Sequence, residues 1–333
     1  MNEVINVLNQ IDKEYEIGII NNGYFFCLET PFEEKKVIKI KWKKESIKSL
    51  MNKFNKNNIN MKLIADNNFY GRFQINNSDN ELLVEYVVNS HVQLPRLLLK
   101  SFTTGDRLYY IKTDTNEIIE SSAATYNTKY GYYSKWFEDY LSKNYESIIS
   151  KLIRKIEPFA NKSVKEIEIE DLYDQINKLF FMALFRNPDE VKKINDNSLS
   201  ARFIKGGIIS EDIALTCEDM SKNLLKNYRP LVVINELTES LLTIKCLFSN
   251  LSLKDANCIF LPLHPKFGIA MVPNEYFNNL IKEYGNKTYI VINNYNTLEK
   301  INLNIYHSAL INKTDVIGKK DDLERLLLQI NNS

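Results

Sequence analysis

The sequence predicts an α+β protein: a small module built on an antiparallel sheet, followed by a larger mixed domain of helices and sheet. Three observations carry this. Val37–Lys43 alternates strictly, with Ile38, Ile40 and Trp42 on one face and Lys39, Lys41 and Lys43 on the other, the period of a half-buried strand. Phe137, Leu141, Tyr145, Ile148, Leu152 and Ile156 recur every three or four residues, the period of an amphipathic helix. The chain of 333 residues is 44% hydrophobic and 26% charged, close to the globular average, so it can bury a sizeable core without staples.

Residues 1–88 read as one α+β module. Val4, Val7, Leu8 and Ile11 have helical spacing. Tyr15–Ile20 and Tyr24–Glu29 flank Asn21-Asn22-Gly23, residue types that tolerate positive φ and so suit a hairpin turn. After the alternating strand comes a short helix at Ser46–Phe54, then strands at Ile59–Ala65, Phe69–Ile75 and Glu81–Val88 between Asn-rich turns.

Residues 89–333 read as the second domain, with helices in 134–227 and then strands and helices in 231–330. Arg107–Lys112 and Glu117–Ser121 form a hairpin around Asp114–Asn116. The long helix spans Ser134–Glu157 and Pro158 ends it. Ser163 and Glu166 fit a capping box that opens a helix running to Arg186, before Asn187-Pro188. A third helix covers Glu211–Asn227. Strands follow at Leu231–Asn235, Leu242–Phe248, Ala256–Leu263 and Phe267–Val272. A helix at Glu275–Tyr284 has Gly285 as its stop, and strand Tyr289–Asn293 and helices at Thr297–Leu310 and Asp321–Ile330 complete the pattern.

Composition narrows the function classes. Lys+Arg 43 against Asp+Glu 42 gives a net charge of +1, so the chain as a whole has no electrostatic pull toward nucleic acid or an acidic membrane. No apolar run is long enough for a transmembrane helix, and Met1–Asn6 has no basic stretch leading into an apolar one. Cys27, Cys217, Cys246 and Cys258 lie far apart, as reduced buried thiols do. The expectation is a cytoplasmic protein without a membrane partner. The glycine patterns that cradle phosphates are absent, so no cofactor is evident. The three histidines, His91, His264 and His307, have no metal-ligand spacing.

The stretch His91-Val92-Gln93-Leu94-Pro95-Arg96 stands at the head of the apolar segment Leu97–Phe102. Arg107-Leu108-Tyr109-Tyr110-Ile111, Tyr132-Tyr133, the long helix, Phe185-Arg186-Asn187-Pro188 and Leu261-Pro262-Leu263-His264-Pro265 follow it. In this order they resemble the bacterial family catalogued as domain of unknown function 4238, over about residues 89–315. That family opens on H-x-x-x-P and carries S-D-N-P and P-L-S-P late in the domain. Here Val92 follows His91 where members often have a second histidine, Leu98 replaces a tyrosine, and His264 replaces the serine. S-D-N-P is missing, and Ile234-Asn235-Glu236-Leu237 is its nearest counterpart. The resemblance implies a role in defence against phage.

Two functions are therefore weighed: a toxin-like effector acting on nucleic acid, and a non-catalytic sensor or interaction protein that binds a phage component. The catalytic candidates are His91, Arg96, Asp139, Glu146 and Arg186. His91 titrates near neutrality and suits a general base, but it also suits a hydrogen bond that fixes the start of Leu97–Phe102. Arg186 suits a phosphate or a helix C-terminus. Asp139 and Glu146 are two helical turns apart and could hold a divalent metal, or form a solvated face. Ten lysines between Lys35 and Lys62, against Glu45 alone, make Lys39, Lys41, Trp42 and Lys43 the nucleic-acid candidates. The competing reading is that the lysines guard a sheet edge. Oligomeric state has no signal in the sequence.

Overall fold

The computed structural model describes residues 18–27, 30–41, 46–66, 70–76, 81–91, 94–134, 138–139, 141–161, 175–179, 222, 225–254, 256–285 and 287–332. The fold is α+β. By contacts the chain divides into two units. The first holds the described residues of Met1–Ser90 and Thr128–Lys143, and the second those of His91–Asn127, Asn144–Pro188 and Thr216–Ser333.

The first unit is built on β1 (Gly18–Cys27), β2 (Thr30–Lys41), β3 (Met61–Asp66), β4 (Tyr70–Ile75) and β5 (Glu81–His91) in the order β1-β2-β5-β4-β3. Helix α1 (Ser46–Lys56) packs on β3 and contributes the wholly buried Phe54; Met61 of β3 and Phe73 and Ile75 of β4 are buried too. This unit departs from a boundary at residue 88 by taking in β8 (Thr128–Ser134), which also pairs with β5. A strand partner so distant in sequence leaves no local trace.

Three local expectations are corrected here. Asn21-Asn22-Gly23 is not a hairpin turn. β1 runs through it with a register shift between Ile20 and Gly23, and the reversal falls between the paired Cys27 and Thr30. The residues that suit a turn also suit a bulge inside a strand. The sheet is not wholly antiparallel, because β2 and β5 run parallel from Lys36↔Leu82 to Lys41↔Val87. Nor does β2 lie at an edge: Lys39 is in register with Gly18 of β1 and Glu85 of β5. Its lysines therefore do not guard an exposed strand.

The second unit holds two sheets. α2 (Arg96–Ser101) follows Pro95, and buries Leu98 and Leu99. β6 (Arg107–Lys112) and β7 (Glu117–Ser122) form the expected hairpin, and the sheet continues through β15 (Val316–Gly318) and β10 (Thr243–Ile244). Side chains tie the hairpin and the turn after it to distant residues. The Tyr126 hydroxyl donates to Asp315 at 2.6 Å, the Tyr306 hydroxyl to Asn116 at 2.7 Å, and Thr113 Oγ1 to the Thr314 carbonyl at 2.9 Å.

The larger sheet has the order β11 (Ser249–Leu253), β12 (Ala256–His264), β13 (Phe267–Pro273), β9 (Tyr228–Asn235), β14 (Tyr289–Ile292). All neighbours are antiparallel except β9 and β14. α3 (Ser147–Ala160) and α4 (Asn274–Glu283) pack on β13, α2 packs on β12, and α5 (Tyr295–Ile311) packs on β11 and β14. α6 (Lys320–Asn331) completes the unit. Helical cover explains why Leu231-Val232-Val233-Ile234 is a continuous apolar run rather than an alternation. Gly285 ends α4 at φ 72°, a conformation that costs glycine little. The expected strand Leu242–Phe248 is mostly irregular; only Thr243–Ile244 pairs. Leu242, Ile244, Cys246 and Leu247 are nevertheless buried and Phe248 half-buried, so burial alone produced the strand-like pattern.

The long helix differs in three ways. Ser134, its expected first residue, closes strand β8 instead, and Phe137 lies outside the described residues. A π-turn at Ser142–Glu146 precedes α3. It inserts a residue into the repeat, so the buried set runs Leu141, Tyr145, Ile149, Leu152, Ile156, Phe159, and Ile149 takes the place expected of the half-buried Ile148. Lys143 and Lys151 are exposed as expected. Pro158 does not end the helix, which continues to Ala160. A proline so near the C-terminus disturbs only the final turn. The helix at Val4–Ile11 and most of those at 163–186 and 211–227 lie outside the described residues; within the second, Ile176 and Leu179 are buried.

Candidate functional site

The sequence-predicted residues fall in several places. His91 closes β5, and Arg96 is the exposed first residue of α2. Asp139 is exposed and belongs to the first unit; Glu146 is half-buried and ends the π-turn in the second. Lys39 and Lys41 lie on β2, while Trp42, Lys43 and Arg186 lie outside the described residues. Among the described residues, no three His, Cys, Asp or Glu side chains are grouped to hold a metal ion.

A different set of residues does converge. The parallel strands β9 and β14 end at Asn235 and Ile292, and loop 236–242 leaves β9 there. Glu239, from that loop, meets Tyr295, Leu298, Glu299 and Asn302 of α5 and Asp322, Arg325, Leu326 and Gln329 of α6 around a small cleft. Arg325 is its centre. Nη1 donates to Glu239 Oε1 at 3.0 Å, Nη2 to Asp322 Oδ1 at 2.8 Å, and Nε to the Asp321 carbonyl at 3.2 Å. The Asp322 side chain is only 5% exposed, and these hydrogen bonds offset the cost of burying it. Its other oxygen accepts the Ser240 N–H at 3.3 Å.

Two asparagines fix the loop. Asn302 Oδ1 accepts the Leu242 N–H at 3.0 Å, and its Nδ2 donates to the Ser240 carbonyl at 3.0 Å. Asn235 Oδ1 accepts the Leu237 N–H at 3.1 Å, and its Nδ2 donates to the carbonyls of Glu239 at 2.6 Å and Pro265 at 3.1 Å. Such bonds stand in for the sheet pairing this buried backbone lacks. The Ser240 hydroxyl is buried without a hydrogen-bond partner among the described residues.

Electrostatics follow from the packing. Burial, then the Glu299 carboxylate, raise the Tyr295 phenol above its ordinary range. Hydrogen bonds from its own backbone, from Thr238 and from Arg325 lower the Glu239 carboxyl. Beneath the loop, burial and the nearby Lys319 lower the Lys266 ammonium. Burial, with Lys266 and Lys319, also lowers His264, while Glu157 opposes the change.

The His264 shift predicts a pH dependence. Its folded pKa lies below the ordinary value of 6.5, so the unfolded chain binds the proton more tightly. The stability that His264 contributes is present above that ordinary value and is lost as pH falls through the folded value. Thermal melts from neutral pH into mild acid should decline less steeply for His264→Asn than for the wild type. Parallel declines would remove His264 as a cause.

No helix among the described residues is long and apolar enough to cross a membrane. No family model, no curated protein and no solved structure matches the chain. Sequence reasoning missed Glu239, Tyr295, Asn302, Asp322 and Arg325. Asp322 and Arg325, three apart on one helix, were open to view as a pair. Glu239 lies 86 residues from Arg325, and only the fold brings them together. Asn235, at the end of its strand, organises the loop through its side-chain amide.

Proposed function

We propose that the chain is a cytoplasmic bacterial defence protein that works by binding, and that it recognises a phage component through the cleft of Glu239, Tyr295, Asp322 and Arg325. The defence setting comes from the resemblance of residues 89–315 to the family named above. The observation that favours binding over catalysis is the bracing of the cleft. Arg325 engages Glu239, Asp322 and the Asp321 carbonyl at once, and Asp322 also holds the loop backbone. A general base needs an unshared lone pair beside a reacting group. A cross-braced ion-pair network presents a fixed pattern of charge instead, which suits specificity. The cleft encloses about 20 Å³, room for roughly one water, so a partner would lie across it rather than inside it.

Expression of the chain in bacteria challenged with a phage panel tests this reading. Plaque numbers should fall for at least one phage relative to an empty vector. Unchanged plaques across the panel, with the folded protein present, would count against the defence role.

A further inference from the structure

Loop 236–242 is anchored at its base by the turn between β12 and β13. The Asn235 N–H donates to the Lys266 carbonyl at 2.7 Å, and the Leu241 N–H to the Pro265 carbonyl at 2.9 Å. The Lys266 ammonium donates to the Leu237 carbonyl. A side chain closes the turn itself: the Lys266 N–H donates to His264 Nδ1 at 3.1 Å. β12 already breaks register between Pro262 and His264, so this bond closes a bulged segment. The imidazole stacks on the fully buried Phe267 ring, with centroids 4.9 Å apart and planes at 16°. That packing limits rotation of the ring.

A ring nitrogen that accepts a hydrogen bond carries no proton, so the closure exists only in the neutral imidazole protonated on Nε2. Adding a proton at Nδ1 sets two donors against each other across the turn. We propose that protonation of His264 opens the β12–β13 turn and frees loop 236–242, so that the cleft is set at neutral pH and loosened in acid. This rests on reading the cleft as the recognition surface and gives that surface a control. The charges that face His264 are Lys266 on the same turn, Lys319 at the start of α6, and Glu157 on α3. The two lysines oppose the proton and Glu157 favours it, and burial adds to the opposition. The transition therefore falls on the acid side of an ordinary histidine.

Amide hydrogen exchange on the whole protein tests this at about pH 7.5 and about pH 5, corrected for the intrinsic rate. In the wild type the amides of Asn235, Leu241 and Lys266 should lose protection by roughly five- to tenfold in acid, the worth of one hydrogen bond. His264→Asn places an acceptor oxygen near the same amide without a titrating ring, and its protection should stay level. The idea is overturned by equal protection at both pH values in the wild type, or by a loss in His264→Asn as large as in the wild type. The wild-type measurement stands without any variant: if ring-nitrogen shifts show His264 titrating while the three amides stay protected, the proposal is wrong. Exchange needs no phage and no ligand, so its failure leaves the binding reading intact. A failure to restrict phage leaves the turn opening intact in the same way.

Discussion

Phe260→Ala is expected to destabilise the protein by about 3–5 kcal/mol. Phe260 is fully buried on β12, in the core shared by the large sheet, α4 and α5. Its ring lies across Gly268 of β13. A Cβ added to Gly268 would meet the ring at 2.6 Å and the Leu261 carbonyl oxygen at 2.9 Å. Gly268→Ala alone should therefore cost about 1–3 kcal/mol by overpacking. Removing the ring clears one of the two obstacles, so the double variant should cost less than the sum of the singles. Denaturant unfolding of the four proteins reads this. Strict additivity would show that ring and glycine are not in contact.

Leu152→Ala is the second large effect, about 2–5 kcal/mol. Leu152 is fully buried in the middle of α3. The π-turn supplies a more discriminating comparison on the same helix. Ile149→Ala should cost more than Ile148→Ala, because Ile149 is fully buried and Ile148 only half-buried. The reverse order would mean that the helix keeps an unbroken α-helical repeat through Ser142–Glu146.

These two sites show what the sequence made legible and what it did not. Leu152 was readable from spacing alone, because helical periodicity is local. So were the hairpin of β6 and β7, the end of α4 at Gly285, and α5 and α6. The insertion that swaps Ile148 for Ile149 was not readable, since the two residues are identical and adjacent. Strands β12 and β13 were found as apolar runs, but the need for Gly268 depends on a ring from the facing strand. The same divide governs the candidate site. Sequence reasoning favours residues that carry titratable chemistry in notable local company, and so selected His91, Arg96, Asp139, Glu146 and Arg186. The cleft is assembled from a loop and two helices distant in sequence, and its central residues look locally like ordinary surface charges on amphipathic helices. The Lys-rich strand was recognised as a strand, but its place inside the sheet follows from pairing with β5, about which Val37–Lys43 carries no information.

The central proposal is that the cleft beside Arg325 recognises the partner. The direct test is plaque formation on cells expressing Tyr295→Glu/Gln329→Glu, compared with wild type and with Lys254→Glu at an exposed ion pair outside the cleft. The double change alters the lining of the cleft and leaves Glu239, Asp322 and Arg325 in place. With melting temperatures and protein levels matched, the account predicts that wild type and Lys254→Glu restrict plaques and the double variant does not. Full restriction by the folded double variant would contradict it.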